Sequence, residues 1–448
     1  MTSLSRSRAC SGFAAVAILC AALPVLAQEM NPTIEVRPGG LTAHRVALQQ
    51  FADEGPGSAS LQPEKLREAL RAALEFTSSV VTLPDAAFLG PVETETLHGS
   101  RRADCQEWRT GGADVLVEGV IDETNGRARV QVGVWDVARC LRLFSESYVR
   151  PAATMPRYAR RIGDDIVGAI TGTRGASATE IAFITTDTGH REVALMDSGG
   201  SNARNATNSN SVKAFPAWLP GGGGILYTAY VTGQQPALYV TARSRAVRAG
   251  SLLGNVLEGE PKYRGVFHPT GESLALVSSV NGSSELFRVA RDGRRLKRLT
   301  FSPSIEVSPT WSPDGEQIAF VSDRSGSPQI FVMNADGTDK RRLTFQGGYN
   351  SSPAWSPDGR WIAYQTRLDA QFDIWLIDPS GEANFPIVEH PRSDESPSWS
   401  PDGRRIVFSS TRRGRADIYT VDRDGSNLIR LTRDRGDNTH PVWSPYPE

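Results

Sequence analysis

The chain is poor in cysteine and histidine, and its charge is balanced. Its 448 residues hold four cysteines and six histidines, and 49 basic side chains stand against 50 acidic ones, a formal net charge of -1. That balance excludes the basic footprint of a nucleic-acid binder and the acidic block of a solvating tail, so no nucleic-acid partner is expected. The apolar run from Gly12 to Leu23 is too short to span a bilayer. Catalytic signatures are missing as well: there is no G-x-S-x-G, no H-E-x-x-H and no C-x-x-C. Histidines 44, 98, 190, 268, 390 and 440 are scattered. His268, His390 and His440 fall in loops of a repeat region that a ring can bring together, so a metal site stays open but has no supporting spacing. No metal and no cofactor are expected.

What is present begins with an export signal. Arg6 and Arg8 precede the apolar run, and Val25-Leu26-Ala27 suits cleavage before Gln28. A cleavable signal peptide is expected over residues 1–27, with an uncleaved anchor as the alternative; after cleavage no membrane span remains. Cys20 follows Ile18-Leu19 and fits a lipoprotein signal poorly. Cys10 and Cys20 lie inside the signal, which leaves Cys105 and Cys140. In an oxidising compartment these two can pair, for roughly 3–4 kcal/mol by loop entropy. Two separate buried thiols are the other reading.

The phrase Trp-Ser-Pro-Asp-Gly occurs at Trp311–Gly315, Trp355–Gly359 and Trp399–Gly403, with degenerate copies at Trp218, Phe267 and Trp443. The 44-residue spacing indicates a repeat architecture. Each repeat carries four short strand patterns, the content of one β-propeller blade. Six first strands can be counted, from Ile181 to Ile406. The first blade lacks a preceding Trp-Ser-Pro and the chain ends on one, so the last segment is expected to complete the first blade and leave no open edge. With Glu448 as the last residue, no hydrolase domain is expected after the repeats.

Ahead of the repeats lies a mixed segment. Pro63 opens a helix with Leu66, Leu70 and Leu74 on one face. Strands are expected at Val80–Leu83, Asp114–Ile121, Arg127–Val137 and Leu141–Arg150, with a short helix at Cys105–Arg109 and a hairpin turn at Asn125-Gly126. An amphipathic helix follows from Met155 to Ile170. The expected fold is an all-β six-bladed β-propeller (C-terminal) preceded by a small α/β domain. The expected division is 1–27 signal peptide, 28–176 N-terminal α/β domain and 177–448 six-bladed β-propeller.

The repeated phrase reads as frame. Proline presets the first turn position, aspartate favours the turn, and glycine takes positive φ. Asp314, Asp358 and Asp402 are therefore turn formers, with catalysis or calcium binding the minor alternative. Each tryptophan should wedge between blades and needs a partner for its N–H. The segments leading into the tryptophan strands vary from blade to blade, as binding loops on a rigid scaffold do.

The order of signal, small α/β domain and W-S-P-D-G repeats resembles the TolB family of periplasmic Tol-Pal components. The stretches Gly112–Val117, Arg160-Arg161-Ile162, Ile170–Gly175 and Ile181-Ala182-Phe183, and the terminal Pro-Val-Trp-Ser-Pro-Tyr, carry the resemblance. It implies a non-enzymatic scaffold, a monomer, that binds the lipoprotein Pal on one propeller face. It implies contact with the inner-membrane protein TolA through the segment after the signal, in support of outer-membrane integrity and cell division. Carried onto this chain, the Pal face includes Glu306, Asn350, Asp394 and Asn438, each five residues before a tryptophan. The TolA segment is about Gln28 to Val36, with Gln28, Glu29, Ile34 and Val36 as its candidates. The rival classes are a propeller-based hydrolase or lyase and a small-ligand-binding propeller.

Overall fold

The computed structural model describes residues 43–53, 61–84, 105–243, 251–252, 260–433 and 436–447. The expected signal peptide and the candidates Gln28, Glu29, Ile34 and Val36 lie outside the described residues.

The α/β domain is built on one mixed sheet. Strands β1 (His44–Leu48), β2 (Ala52–Asp53), β3 (Val80–Thr82), β4 (Val115–Thr124), β5 (Arg127–Asp136) and β6 (Leu141–Pro151) take the order β3-β1-β4-β5-β6, with β2 also on β4. β1 runs parallel to β3 and β4, whereas β4, β5 and β6 form an antiparallel meander. Asn125 and Gly126, both at positive φ, turn β4 into β5. Positive φ at both central residues gives a twist that matches the strands. Helices α1 (Pro63–Glu75) and α3 (Met155–Thr171) lay Leu66, Leu70, Leu74, Ile162 and Ile166 against Val117, Val130 and Val132. A second cluster holds α2 (Cys105–Thr110), where Cys105 and Trp108 meet Leu116 and Trp135. There Cys105 is bonded to Cys140, with Cα atoms 5.7 Å apart.

The remainder is a six-bladed propeller of four-stranded antiparallel sheets. The inner strands of blades two to six are Val212–Trp218, Lys262–Phe267, Glu306–Trp311, Tyr349–Trp355 and Asp394–Trp399. Blade one is composite: its inner strand, Asn438–Trp443, pairs antiparallel with Glu180–Thr185. The Ser444 N–H donates to the Glu180 carbonyl and the Glu180 N–H to the Ser444 hydroxyl across the same seam, so the ring shuts as the offsets implied.

The tryptophans seat between blades through their indole N–H groups. Trp218, Trp311 and Trp399 donate to the carbonyls of Val442, Val266 and Ala354 in the preceding blade, at 3.0, 3.2 and 3.0 Å. Trp355 differs, donating to Gly359 of its own turn. The turn aspartates act as expected: Asp314 accepts from the Ser312 hydroxyl and the Glu316 N–H.

The outer strands are short, as at Lys297–Arg298 and Ile429–Arg430. A side chain ends the ladder early. The Thr300 hydroxyl accepts the Leu286 N–H and donates to the Glu285 carboxylate, where a further backbone pair would otherwise form. Thr432 repeats this with Ile418 and Asp417.

Candidate functional site

All six inner strands run the same way, so the propeller has two unlike faces. The Trp-Ser-Pro-Asp-Gly turns lie on one. The loops leading into the inner strands, and the hairpins joining second to third strands, lie on the other. The α/β domain packs on the turn face. Arg404 donates to the Thr77 and Ser79 hydroxyls, Arg160 pairs with Asp197 at 2.8 Å, and Phe76 meets the Trp443 ring edge-on at 6.5 Å. The Tyr446 hydroxyl donates to the Arg174 carbonyl at 2.6 Å. Among the described residues these contacts leave the loop face open.

The four expected propeller contacts do not stand exposed in loops. Glu306, Asn350, Asp394 and Asn438 are all buried at the loop-face ends of their strands. Glu306 accepts from the Ser322 hydroxyl and from Arg324, each at 2.8 Å. Asp394 accepts from Arg412 at 2.8 Å. Asn350 donates to the Gln329 side chain and the Gln346 carbonyl. Burial pushes the Glu306 and Asp394 carboxyls up, while their arginines and serines pull them back down. Arg324 and Arg412 sit in the hairpins of the same blades. The acids therefore tie those hairpins down and offer no surface of their own. The sequence places these four in the loops before the tryptophan strands; they stand instead within the strands, at buried positions. A carboxylate at that position is stable in the interior only with a paired guanidinium.

What the loop face does expose is aromatic and aliphatic. Phe301 and Phe345 are each 73% exposed, and Ile305, Leu368, Val212 and Tyr230 are exposed as well. Arg298 stacks over Phe301 at 4.7 Å and Arg342 over Phe345 at 4.8 Å. Exposed arginine–aromatic pairs have the composition of interface hot spots. Residue-by-residue reading of the loops missed them. The available signal was Leu-Thr-Phe at Leu299–Phe301 and Leu343–Phe345, against Leu-Thr-Arg at Leu431–Arg433.

A second feature lies on the ring axis. Three residues before each tryptophan, or before Phe267, stand Phe215, Arg264, Ser308, Ser352, Ser396 and His440. All six have φ between 50° and 56°, and the strand register shifts at each. A bulge at the same position in every blade turns these side chains toward the channel. They line a cavity of about 220 Å³ together with the residues that follow them. Arg264 lies over the Phe215 ring at 3.9 Å and donates to the Ser308 hydroxyl. Burial pulls its guanidinium down, and its titratable neighbours are tyrosines 230, 349 and 263. His440 meets Phe215 edge-on at 5.5 Å, and its buried Nδ1 has no protein partner. Burial, with Arg264 and Arg191 nearby, lowers His440 to about 4, so the ring is neutral at pH 7.

The histidines do not converge. His268 packs on Trp311 at 4.8 Å, the His390 N–H donates to Asp373, and His440 lies in the channel. Among the described residues no three histidine, cysteine, aspartate or glutamate side chains form a group able to hold a metal. No helix among them is long and apolar enough to cross a membrane.

Two family models match the chain. The TolB beta propeller domain covers residues 167–447 and the TolB amino-terminal domain covers residues 32–143. The Tol-Pal system protein TolB of Anaeromyxobacter dehalogenans (strain 2CP-C) is 34% identical over 299 residues, 66% of this chain and 66% of that protein. The protein TolB homolog of Chlorobium chlorochromatii (strain CaD3) is 31% identical over 291 residues, 64% of this chain and 63% of its own length. The chain thus spans just under two thirds of the curated relatives it matches. In fold it is similar to the crystal structure of TolB from Acinetobacter baumannii, with a TM-score of 0.73 and 23% identity over 90% of this chain and 97% of that one.

Proposed function

The chain belongs to the TolB family, and from that premise we propose that it is a periplasmic scaffold of a Tol-Pal system, without catalytic chemistry of its own. Its partner on the propeller is a Pal-type lipoprotein, docked on the loop face. The observation that carries this reading is the pair of exposed, arginine-stacked phenylalanines, Phe301 and Phe345, on the face that the α/β domain leaves open. Glu306, Asn350, Asp394 and Asn438 serve that surface from beneath, by holding its loops and hairpins in place.

A TolA-type inner-membrane protein engages the segment from Gln28 to Val36, with Gln28, Glu29, Ile34 and Val36 as contacts, after export and removal of residues 1–27. Together the two contacts support outer-membrane integrity and cell division.

Calorimetric titration with the soluble domain of the cognate Pal-like lipoprotein tests the first contact. Saturable binding is expected, weakened about tenfold or more by Phe301→Ala with Phe345→Ala, as for truncated hot-spot aromatics. Absence of binding, or indifference to both substitutions, overturns it. For the second contact, deletion of residues 28–36 is expected to abolish capture of the TolA-like protein and leave the lipoprotein titration unchanged.

A further inference from the structure

We propose that the propeller channel holds a site for one small oxyanion, a carboxylate or phosphate group, received by Arg264 with the Ser308 hydroxyl and the His440 ring beside it. The site is internal to the ring and does not depend on which protein docks on the loop face.

The argument starts from a charge without a counter-charge. A guanidinium largely withdrawn from water is costly unless paired, and Arg298, Arg324, Arg412 and Arg430, also part-buried, each meet a buried carboxylate at 2.8 Å. Arg264, half-buried on the channel, has no such partner. It forms no ion pair among the described residues, and no carboxylate is among its titratable neighbours. Phe215 covers one face of the guanidinium and Ser308 takes one of its donors. A guanidinium carries five N–H donors in one plane, a fork that suits an oxyanion.

The surroundings point to the same ligand class. Ser308, Ser352 and Ser396 line the cavity and can donate hydroxyl protons. The buried Nδ1 of His440 is unpartnered on the same ring of residues. A cation is disfavoured, because the charged groups that act on His440 are Arg264 and Arg191. The space is adequate: a cavity of about 220 Å³ takes a small oxyanion and a few waters, at roughly 30 Å³ per water. Six equivalent bulges build the lining, yet only blade three carries a cation there, so the ring is a generic frame with one specific position.

The test uses the full mature chain, titrated by calorimetry with sodium phosphate, with sodium acetate and with acetyl-glutamate amide, at ionic strength held constant with chloride. Saturable binding with Kd of about 10 mM or tighter is expected for at least one probe, and a loss of tenfold or more in Arg264→Gln. Phosphate binding alone assigns a tetrahedral anion taken from solution. Acetyl-glutamate amide binding tighter than acetate assigns a polypeptide carboxylate. Either outcome upholds the site. In chloride buffer Arg264→Gln should unfold no earlier than the parent chain, since it removes an unpaired, half-buried charge. The His440 Cε1–H resonance should titrate at higher pH once the binding probe saturates, because an anion offsets Arg264 and Arg191. Equal affinity in parent and variant, no saturable binding by any probe, or earlier unfolding of the variant in chloride overturns the proposal.

Discussion

The Lys213 ammonium lies 2.8 Å from Oε1 of Glu192, and both side chains are almost wholly enclosed. Lys213 is the second residue of the inner strand of blade two and Glu192 opens the third strand of blade one, so the pair rivets neighbouring blades. The two remaining donors of the ammonium are shared among the Ser209 hydroxyl and the Ser209 and Ser211 carbonyls, and the carboxylate also accepts from Thr207 and the Ser209 N–H. Every charged atom is satisfied, which is the condition under which a buried ion pair is tolerated.

Breaking one half of that rivet should cost far more than replacing both halves. Lys213→Met strands a buried carboxylate, and a loss of about 3–5 kcal/mol is expected. Lys213→Met combined with Glu192→Leu should recover most of it. Urea unfolding of the two variants beside the parent chain measures the difference; equal losses would mean that the pair has no mutual dependence.

The carboxyl of Asp164 makes stability depend on acidity in an unusual direction. It accepts from the Ser177 N–H and hydroxyl and from the Ala178 N–H, at 2.7, 2.7 and 2.8 Å, and so ties α3 to the chain entering the propeller. Burial nevertheless raises it from 3.8 to about 6. The folded chain therefore binds this proton more tightly than the unfolded one. The contribution is most favourable below pH 3.8 and is lost as pH rises through about 6. Asp164→Asn should flatten the stability profile across that window by up to about 3 kcal/mol, at roughly 1.4 kcal/mol per pKa unit. Thermal midpoints of parent and variant at closely spaced pH values read this out.

Much of the frame was legible because it depends on local chemistry repeated in register. A Pro-Asp-Gly turn and an alternating strand need only their own residues, so the four short strand patterns of each repeat become the four strands of each blade. The candidate site was less legible because burial is set by a partner on another strand. Whether Glu306 faces water or the interior depends on Arg324, and Asp394 depends on Arg412. Asn350, at the same place in blade five, has Leu368 at that offset and carries no charge. An acid followed eighteen residues later by arginine in blades four and six, and an amide followed by leucine in blade five, was a readable pattern. It acquires meaning only once hairpin and inner strand are known to meet. The channel ring was hidden for a different reason. Nothing in Phe, Arg, Ser, Ser, Ser and His signals a shared positive φ.

Trp443 anchors the seam of the ring. Its indole N–H donates to the Thr179 hydroxyl at 2.7 Å, and its buried ring meets Phe76 of the α/β domain. Trp443→Ala removes a large wedge where the ring closes and where the domains touch. A loss of about 3–5 kcal/mol is expected. Limited proteolysis should then cut first near Glu180–Thr185, whose pairing strand is loosened; an unchanged cleavage pattern would place the weakest point elsewhere.

Reduction of the Cys105–Cys140 bond should act on the α/β domain alone. The bond closes 35 residues of chain, and the loop-entropy estimate for that span is about 4 kcal/mol. Dithiothreitol should lower the unfolding midpoint of the parent chain and leave a Cys105→Ser, Cys140→Ser variant unaffected. A parent midpoint that does not move under reduction would show that the hydrophobic cluster around Trp108 and Trp135 suffices.

The seam at blade one also sets a timetable. Glu180 and Ser444 meet although 264 residues separate them. Synthesis delivers Glu180–Thr185 early and Asn438–Trp443 last, so for most of that interval the first sheet has a vacant inner position. Pairings of such long sequence separation are slow to form, and an unfilled strand edge is the part of a growing chain most open to mispairing. Each molecule thus passes through a stage in which any extended segment of suitable sequence can occupy the place reserved for its own last strand.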